Sequence, residues 1–236
     1  ALVAVRVNDG AIVAIVGGSG CGKTVLLNHI LGLLDPDRGC VRVADHDQKG
    51  QPLVDLADLD DNQLAHIHMH WGVVFQNNAL FSGSVYDNIA LWLSEVKNLE
   101  DDEIEPIARK VLDAVALPSD GDFLNLDVHN MSGGMAKRLG LARALAMNPK
   151  VIFYDEPTTG LDPITADVIN NLIVAVNQKI GATAMTITHD MQSAKKIGDR
   201  IAMLYGGKII WAGPPEEVDE SGNAYLDQFI HGRTDG

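Results

Sequence analysis

The chain has 236 residues, 46% of them hydrophobic, and a formal net charge of −14 at pH 7. It is long enough to bury a substantial core, as one domain or as one domain with a lobe, and its charge excludes a nucleic-acid binder, which would need a clustered basic face. No apolar run approaches the ~18–20 residues of a membrane helix, and we expect no signal peptide in the first residues.

The first elements along the chain are a strand pair and a glycine-rich loop. Val3, Val5 and Val7 alternate, an Asn-Asp-Gly turn follows, and the run AIVAIV is continuously apolar. This pattern predicts a hairpin whose second strand is buried. The segment GGSGCGKTVLLNHILGLL then predicts a loop that enters a helix, which ends before Asp35-Pro36.

The loop GGSGCGKT fits the phosphate-binding pattern G-x-x-x-x-G-K-[ST] in the expected context, after a buried strand and before a helix. Its glycines let backbone amides converge on phosphate oxygens. We expect Lys23 to reach the β- and γ-phosphates and the Thr24 hydroxyl to bind Mg²⁺. Cys21 would contribute its backbone amide, and with Cys40 it makes no disulfide framework, which fits a reducing cytosol. The predicted phosphate-binding residues are Gly17, Gly18, Ser19, Gly20, Cys21, Gly22, Lys23 and Thr24.

The middle of the chain changes from strands to helices. GCVRVAD and WGVVFQ predict strands, and Gln76 at the end of the second could contact a metal site or be an ordinary polar strand end. From about Asn77 to Asn148, apolar residues spaced by three and four predict helices. Strands return in KVIFYDEP, TAMTITH, RIAMLY and KIIWAG. Strand–helix alternation interrupted by a helical block predicts an α/β protein with an inserted helical lobe.

Acidic residues follow the strand VIFY, at the end where α/β proteins form their sites. Asp155 would hold Mg²⁺ through water, and Glu156 would be the general base for an attacking water. Such a pair can also be a helix cap, but together with Gly17–Thr24 it indicates a nucleoside triphosphatase. His189 could donate to the γ-phosphate or be a core or cap residue, and Asp162 lies on a loop beside the site.

The segment HNMSGGMAKRLGLARAL opens a helix with a serine and two glycines, which suits a phosphate-binding helix N-terminus. Ser132, Gly133 and Gly134 lie on the predicted helical lobe, away from the phosphate loop of their own chain. They could serve a nucleotide only if it belonged to a second copy. The sequence therefore predicts two ATP molecules between two chains arranged head to tail, and dimerisation that depends on ATP.

The motifs GGSGCGKT, FQ, MSGGM, VIFYDEP, GLD and TH resemble, in order and spacing, those of ATP-binding cassette (ABC) ATPases over nearly the whole chain. The resemblance implies that Glu156, His189 and Gln76 are catalytic. It implies Mg²⁺ ligands at Thr24, Gln76 and Asp155, and a D-loop at Asp162. The implied signature, which contacts the ATP of the second copy, is Ser132, Gly133, Gly134 and Met135.

The implied fold class is α/β, a P-loop NTPase (RecA-like) core with N-terminal antiparallel β strands and an inserted α-helical subdomain. We expect one domain over residues 1–236. Its catalytic core would span about 1–76 and 149–215, its helical lobe about 77–148 and its C-terminal tail about 216–236. The aromatic residue that stacks on adenine in this family lies upstream of the phosphate loop, and we expect it before the first residue of this sequence.

The subfamily is indicated by Met135, where most cassettes carry Gln. Met135 and the segments FQNNALFSGSVYDNIAL, DEPTTGLDPITA and FIHGR are together similar to those of the Mla/Mce-type ATPases. These ATPases energise lipid movement between bacterial membranes. The resemblance implies ATP and Mg²⁺ as cofactors, and a homodimer at the cytoplasmic face of the inner (plasma) membrane. Its partners would be an integral membrane permease and a lipid-binding subunit, with no nucleic acid.

Other interpretations remain open at this point. The same cassette could serve an importer for an amino acid, a peptide or an ion, since a cassette does not itself bind cargo. A soluble, non-transport ABC ATPase is a further alternative. His66, His68 and His70 occupy a stretch where relatives carry Arg or Lys, and there we expect a solvated surface rather than a metal site, because only the first and last share a helix face.

Overall fold

The computed structural model describes residues 4–231. In that part of the chain the strands are β1 (Ile12–Val16), β2 (Arg42–Ala44), β3 (Leu53–Asp55), β4 (Trp71–Val74), β5 (Val151–Asp155), β6 (Thr183–Thr188), β7 (Arg200–Tyr205) and β8 (Lys208–Gly213). The α-helices are α1 (Lys23–Ile30), α2 (Asp61–His68), α3 (Val85–Lys97), α4 (Asp101–Ala114), α5 (Gly121–Leu124), α6 (Gly133–Ala146), α7 (Pro163–Ile180), α8 (Met191–Ile197) and α9 (Ala224–His231).

Six strands form the main sheet, in the order β4-β5-β6-β1-β7-β8. Neighbours from β4 to β7 are parallel, and β8 pairs antiparallel with β7 at the edge. The strands β2 and β3 make a separate antiparallel pair. All five residues of β1 are buried, because this strand has partners on both sides and helices on both faces, which explains its unbroken apolar sequence.

Helices cover both faces of this sheet. Val13 and Ile15 of β1 point to the face that packs on Leu27 of α1 and on α2. Ala14 and Val16 point to the opposite face, against α8 and α9. This alternation follows from the period of two in a strand, and it leaves the loop after Val16 at the carboxyl edge of the sheet.

The hairpin predicted for the first residues is not formed in the part of it that the structure describes, from residue 4 onward. Val3 lies outside the described residues, and residues 4–8 belong to no strand. The physical reason is that β1 already pairs with β6 on one side and β7 on the other, so it has no free edge to offer. Val5 and Val7 pack instead as single side chains on the core beneath the sheet. The antiparallel pair in the N-terminal part of the chain is β2–β3.

The helices α3 to α6 lie between β4 and β5 in the chain, as the spacing of apolar residues predicts. The helix α6 packs on α3, α4 and β4, and it is buried from Leu139 to Ala146 on every side. This helix therefore connects the helical lobe to the sheet. The chain thus has an α/β core with an inserted helical part, and the predicted fold class is confirmed.

The C-terminal helix α9 packs on its own chain. Leu226 is fully buried against the core around α8 and β7. The ring of Tyr225 stacks on Tyr205, with 3.8 Å between the ring centroids. The end of the FIHGR motif lies beyond His231, outside the described residues. Within residues 4–231, we find no helix with the length and apolar character needed to cross a membrane.

Candidate nucleotide site

The loop after β1 uses glycine where the backbone leaves no room for a side chain. A Cβ atom on Gly17 would lie 2.5 Å from the carbonyl oxygen of Leu204 on β7. Gly20 and Gly22 have φ angles of +75° and +102°, in the left-handed region that glycine adopts most easily. Gly22 provides no side-chain cap for α1. The first amides of α1 are therefore open to an anion, which a helix N-terminus binds well.

Lys23, the first residue of α1, lies over this loop. Its Nζ donates to the carbonyl oxygens of Gly17 at 2.8 Å and Gly18 at 3.1 Å. The same atom is 3.8 Å from Oε1 of Glu156, and the side chain is buried. The ammonium group thus lies between the phosphate loop and the acidic end of β5, where it can pair with a carboxylate or with a phosphate.

Glu156 is held firmly at the carboxyl edge of the sheet. Its N–H donates to the carbonyl oxygen of Ile187 on β6 at 2.8 Å. Its Oε2 accepts from the Thr159 hydroxyl at 3.0 Å and pairs with Nδ1 of His189 at 2.8 Å. The φ angle of Glu156 is +48°, a strained conformation for a residue with a side chain and one that clusters at functional sites. The predicted pair of Glu156 and His189 is therefore in direct contact.

Asp155 ends β5, and its carboxylate is poorly solvated. Burial raises the pKa of Asp155 above its ordinary value and the charge of Glu156 raises it further, while Lys23 and Lys137 oppose the shift. Its Oδ1 atom is buried and has no hydrogen-bond partner. A carboxylate oxygen without a donor fits a hard divalent cation, which takes oxygen ligands.

We expect Asp155→Asn to raise the melting temperature of the nucleotide-free protein. Because the pKa of Asp155 is higher in the folded than in the unfolded chain, its ionisation lowers the stability of the fold progressively as the pH rises above the unfolded value, and the full cost is present above the folded value. The neutral amide avoids this cost. The difference in melting temperature from the wild type should be present at neutral pH and shrink as the pH falls and Asp155 takes up a proton. A lower melting temperature at neutral pH would contradict the expectation.

The other predicted Mg²⁺ ligands follow two other strands of the main sheet, β1 and β4. Thr24 is in the first turn of α1, and Gln76 follows β4 by two residues. Both residues are exposed, so their oxygens are free to turn toward a ligand. A hydroxyl, an amide and a carboxylate are a donor set that suits Mg²⁺, which usually completes its shell with substrate phosphates and water.

Of the three histidines predicted to lie on a solvated surface, His66 and His70 lie near one carboxylate, whereas His68 packs on an aromatic ring. His70 Nε2 is 2.8 Å and His66 Nδ1 is 4.0 Å from the two carboxylate oxygens of Asp47, so these two do share a face. His68 is not on that surface, because its ring packs on Trp71 at 4.9 Å and burial lowers its pKa. Within residues 4–231, no group of three or more His, Cys, Asp or Glu side chains could hold a metal ion.

The signature residues begin α6 and contact the helix that follows Asp162. The Ser132 hydroxyl accepts from the Met135 N–H at 3.3 Å. Asp162 caps α7, accepting from the Ile164 and Thr165 amides at 3.0 Å each. A Cβ atom on Gly134 would lie 2.8 Å from a methyl group of Thr165. The two motifs are thus neighbours.

The phosphate loop is a separate part of the site. Among the described residues, no hydrogen bond or ion pair joins residues 132–135 to residues 17–24. The signature amides therefore make no bond to the phosphate loop of their own chain in the part of the chain that the structure describes.

Two buried cations of α6 belong to this site and were not predicted. Lys137 Nζ donates to the carbonyl oxygen of Gln76. Arg143 donates to the carbonyl oxygens of Asn78 and Ala79 at 2.9 and 2.6 Å. The pKa of Lys137 is lowered, because the effect of burial exceeds the opposing effect of the negative charges of Asp155 and Glu156. The local sequence, AKRLGLARALA, gives no signal that separates these two cations from Arg138, which is not buried.

The chain matches a known protein family over most of its length. A family model described as "ABC transporter" matches residues 2–159, which is more than half of the chain. The chain therefore belongs to the ABC transporter family, as an ATP-binding cassette.

Particular relatives differ in what they transport. The chain is 34% identical over 235 residues to the probable ribonucleotide transport ATP-binding protein mkl of Mycobacterium leprae, covering 99% of this chain and 65% of that protein. It is 35% identical over 232 residues to the intermembrane phospholipid transport system ATP-binding protein MlaF of Haemophilus influenzae, covering 98% and 84%. It is 36% identical over 231 residues to the methionine import ATP-binding protein MetN of Histophilus somni, covering 97% and 64%. The chain spans 62–65% of the length of the mycobacterial relatives.

Solved structures have the same fold. The structure of cbiO1 from Clostridium perfringens, part of the ABC transporter complex cbiONQ, has a TM-score of 0.79 at 29% identity, covering 95% of this chain and 85% of that one. The cassette MJ0796 in a dimeric post-hydrolysis state bound to ADP and Pi has a TM-score of 0.76 at 31% identity, covering 90% and 89%.

Proposed function

We propose that this chain is the ATP-hydrolysing subunit of an ABC transporter and that it works as an ATP-dependent homodimer. The observation that carries the proposal is the contact between the phosphate loop and the acidic end of β5. Lys23 touches both the loop carbonyls and Glu156, and Glu156 is paired with His189. A phosphate cradle, a fixed carboxylate and a histidine within reach of one another are the groups that hydrolysis of a nucleoside triphosphate needs.

The roles of the side chains follow from these contacts. Phosphates on the N-terminus of α1 would draw Lys23 from the loop carbonyls to the β- and γ-oxygens. Thr24, Gln76 and Asp155 would hold Mg²⁺, which when bound withdraws negative charge from the phosphate oxygens. Glu156 accepts the proton of the attacking water. Because Nδ1 of His189 faces Glu156, its Nε2 is the nitrogen available to the γ-phosphate.

Dimerisation completes the site from outside the chain. The signature Ser132–Met135 would bind the γ-phosphate on a second copy, with its backbone amides at the start of α6. The dimeric state of the related cassette with ADP and Pi supports this arrangement. Nucleotide binding would close the pair and hydrolysis would open it, which drives a membrane permease.

The permease surface is expected on the apolar side chains that follow Gln76. Phe81 and Trp92 are 43% and 46% exposed, and Leu80 and Tyr86 are half-buried and pack on the core. A cytoplasmic helix of an integral membrane permease would bury this surface and hold the cassette at the cytoplasmic face of the inner membrane. Apolar surface of this kind on an acidic protein marks a site of association.

We expect Phe81→Asp to uncouple transport and to weaken association with the membrane, because a charge would be buried in the interface. Copurification with the permease measures the effect, which should be about tenfold or more, while ATPase activity of the free cassette persists. Leu53→Asp is the matched control, since Leu53 on β3 is also an exposed apolar residue, at 66%. Unchanged copurification of Phe81→Asp would count against this docking surface.

For the cargo we propose phospholipid or another lipid, moved between bacterial membranes. Met135 in the signature and the similarity to MlaF over 98% of the chain support it. The similarity to MetN, at 36% identity, keeps an importer for another cargo, an amino acid, peptide or ion, as the second candidate. A soluble non-transport ATPase is the remaining alternative.

The test is affinity purification from detergent-solubilised native membranes, with mass spectrometry of protein and lipid. A multi-spanning permease with a lipid-binding subunit and bound phospholipid would support lipid transport. A permease without lipid would keep the transporter and favour the importer. The absence of any membrane protein, with the Phe81→Asp variant behaving like the wild type, would make the soluble ATPase the working hypothesis.

A further inference from the structure

Lys137 is an unusual residue in the middle of this protein. It stands one turn into α6, and only 6% of it is exposed. A lysine is almost never buried to this degree unless its charge is paired. Its Nζ donates to the main-chain oxygen of Gln76, and it interacts electrostatically with Asp155 and Glu156. One buried cation thus binds the loop that carries a predicted Mg²⁺ ligand, within the electrostatic influence of the acidic pair.

The loop beyond Gln76 is held to the same helix. Arg143, six residues further along α6, donates to the oxygens of Asn78 and Ala79. These two residues have φ angles of +51° and +46°, a strained conformation that persists only where the surroundings impose it. Gly140 faces the loop between the two cations, with Asn78 oxygen 3.7 Å from the position of a Cβ atom. The main chain of segment 76–79 is therefore bound along the surface of α6, through its carbonyl oxygens.

Gln76 itself has a free side chain and a fixed backbone. Its side chain is exposed, and its carbonyl oxygen is bound by Lys137. Lys137 holds the main chain of Gln76. The position of that main chain therefore limits which places the side-chain amide of Gln76 can reach. Because Lys137 belongs to the helix that begins at the signature, any movement of α6 is passed to Gln76.

We propose that Lys137 is a positioning residue, which holds the main chain of Gln76 to the signature helix and thereby sets the Gln76 side chain at the metal side of the nucleotide site. The proposal rests on the proposed ATPase function only for its kinetic consequence. The attachment itself is a property of the nucleotide-free chain and can be measured without turnover.

The first experiment measures hydrogen exchange of the nucleotide-free protein by mass spectrometry, comparing Lys137→Met with the wild type. Loss of the donor should raise the exchange rate of the amides in residues 76–80 about tenfold, with little change in β5 and β6. Lys97→Met is the matched control, because Lys97 also donates to a carbonyl oxygen, that of Met147 at the other end of α6, at 3.0 Å. Unchanged exchange in residues 76–80 would overturn the proposal, whatever the protein's activity.

The second experiment measures kcat and KM for ATP at saturating Mg²⁺. Misplacing Gln76 should lower kcat about 10–100-fold and change KM less than about threefold, since the phosphate loop is untouched. Lys137→Arg keeps a charged donor and should restore most of kcat. An equal loss of kcat and of nucleotide affinity that Lys137→Arg does not repair would mean general damage to the fold and would overturn the positioning role. If the wild type does not hydrolyse ATP, the proposed function fails, and hydrogen exchange alone decides this inference.

Discussion

Replacing Glu156 by glutamine should leave ATP binding intact and nearly abolish its hydrolysis. The amide has the size of the carboxylate and can still accept from the Thr159 hydroxyl, which contacts Oε2 at 3.0 Å, so the strained turn after β5 is preserved. It cannot take a proton from water. A general base commonly contributes about 10²–10⁴-fold to a rate, and turnover should fall by a factor in that range.

Two measurements check this expectation. Steady-state phosphate release should fall in Glu156→Gln, whereas the affinity for a fluorescent ATP analogue should stay within about threefold of wild type. Size-exclusion chromatography with ATP and Mg²⁺ should show the variant accumulating as a dimer, because closure is no longer followed by hydrolysis. The control is Glu216→Gln, an exposed glutamate outside the site. Near-normal turnover in Glu156→Gln would remove Glu156 from the role of base.

The individual motifs of this site are predictable from the sequence because each consists of a few consecutive residues. Gly17–Thr24 form a loop between a strand and a helix, and Asp155 and Glu156 follow an apolar strand. Parallel strands bring such segments to one edge of the sheet, so Lys23 and Glu156 meet although 133 residues separate them. The spacing of apolar residues likewise predicts the helices between β4 and β5, since it has the period of a helix.

The parts that could not be predicted depend on which elements become neighbours. The N-terminal hairpin has a correct local pattern, but β6 and β7 occupy both edges of β1. The bond from Lys137 to Gln76 spans 61 residues, and those from Arg143 span 64 and 65. No local pattern distinguishes these cations from ones on a solvated helix face. Only the packing of α6 against β4 shows that they point inward.

One helix, α6, connects three separate parts of the molecule. The signature is at its N-terminus, and its buried cations hold the loop from Gln76 to Ala79. The Arg143 guanidinium also lies 5.4 Å from the centroid of the Phe81 ring, on the proposed permease surface. The helix α6 therefore contacts, through its own side chains, both the proposed permease surface and the loop that carries Gln76.

The head-to-tail arrangement predicts that two inactive variants restore each other. Lys23→Met removes the phosphate-binding ammonium group, and Gly133→Asp places a carboxylate where the γ-phosphate of the second copy would lie. A Cβ atom at Gly133 meets nothing within 4 Å, and an acidic residue in the first turn of α6 favours the helix, so this variant should fold. Each variant alone should lose about 10²-fold or more of the ATPase activity.

Mixing the two variants should give activity that neither has alone. In a mixed pair, one site combines the intact phosphate loop of the Gly133→Asp chain with the intact signature of the Lys23→Met chain. The other site carries both defects. If each chain used its own signature, no combination would contain an intact site, and the mixture would stay inactive.

The chain that carries both substitutions provides the converse measurement. In a dimer with a wild-type chain, the double variant inactivates both nucleotide sites. It contributes the defective phosphate loop (Lys23→Met) to one site and the defective signature (Gly133→Asp) to the other. An excess of this double variant should therefore suppress wild-type activity, and either single variant should suppress it less, because each leaves one site of a mixed pair intact. Wild-type activity that does not respond to the double variant would show that the phosphate loop and the signature do not meet across two copies.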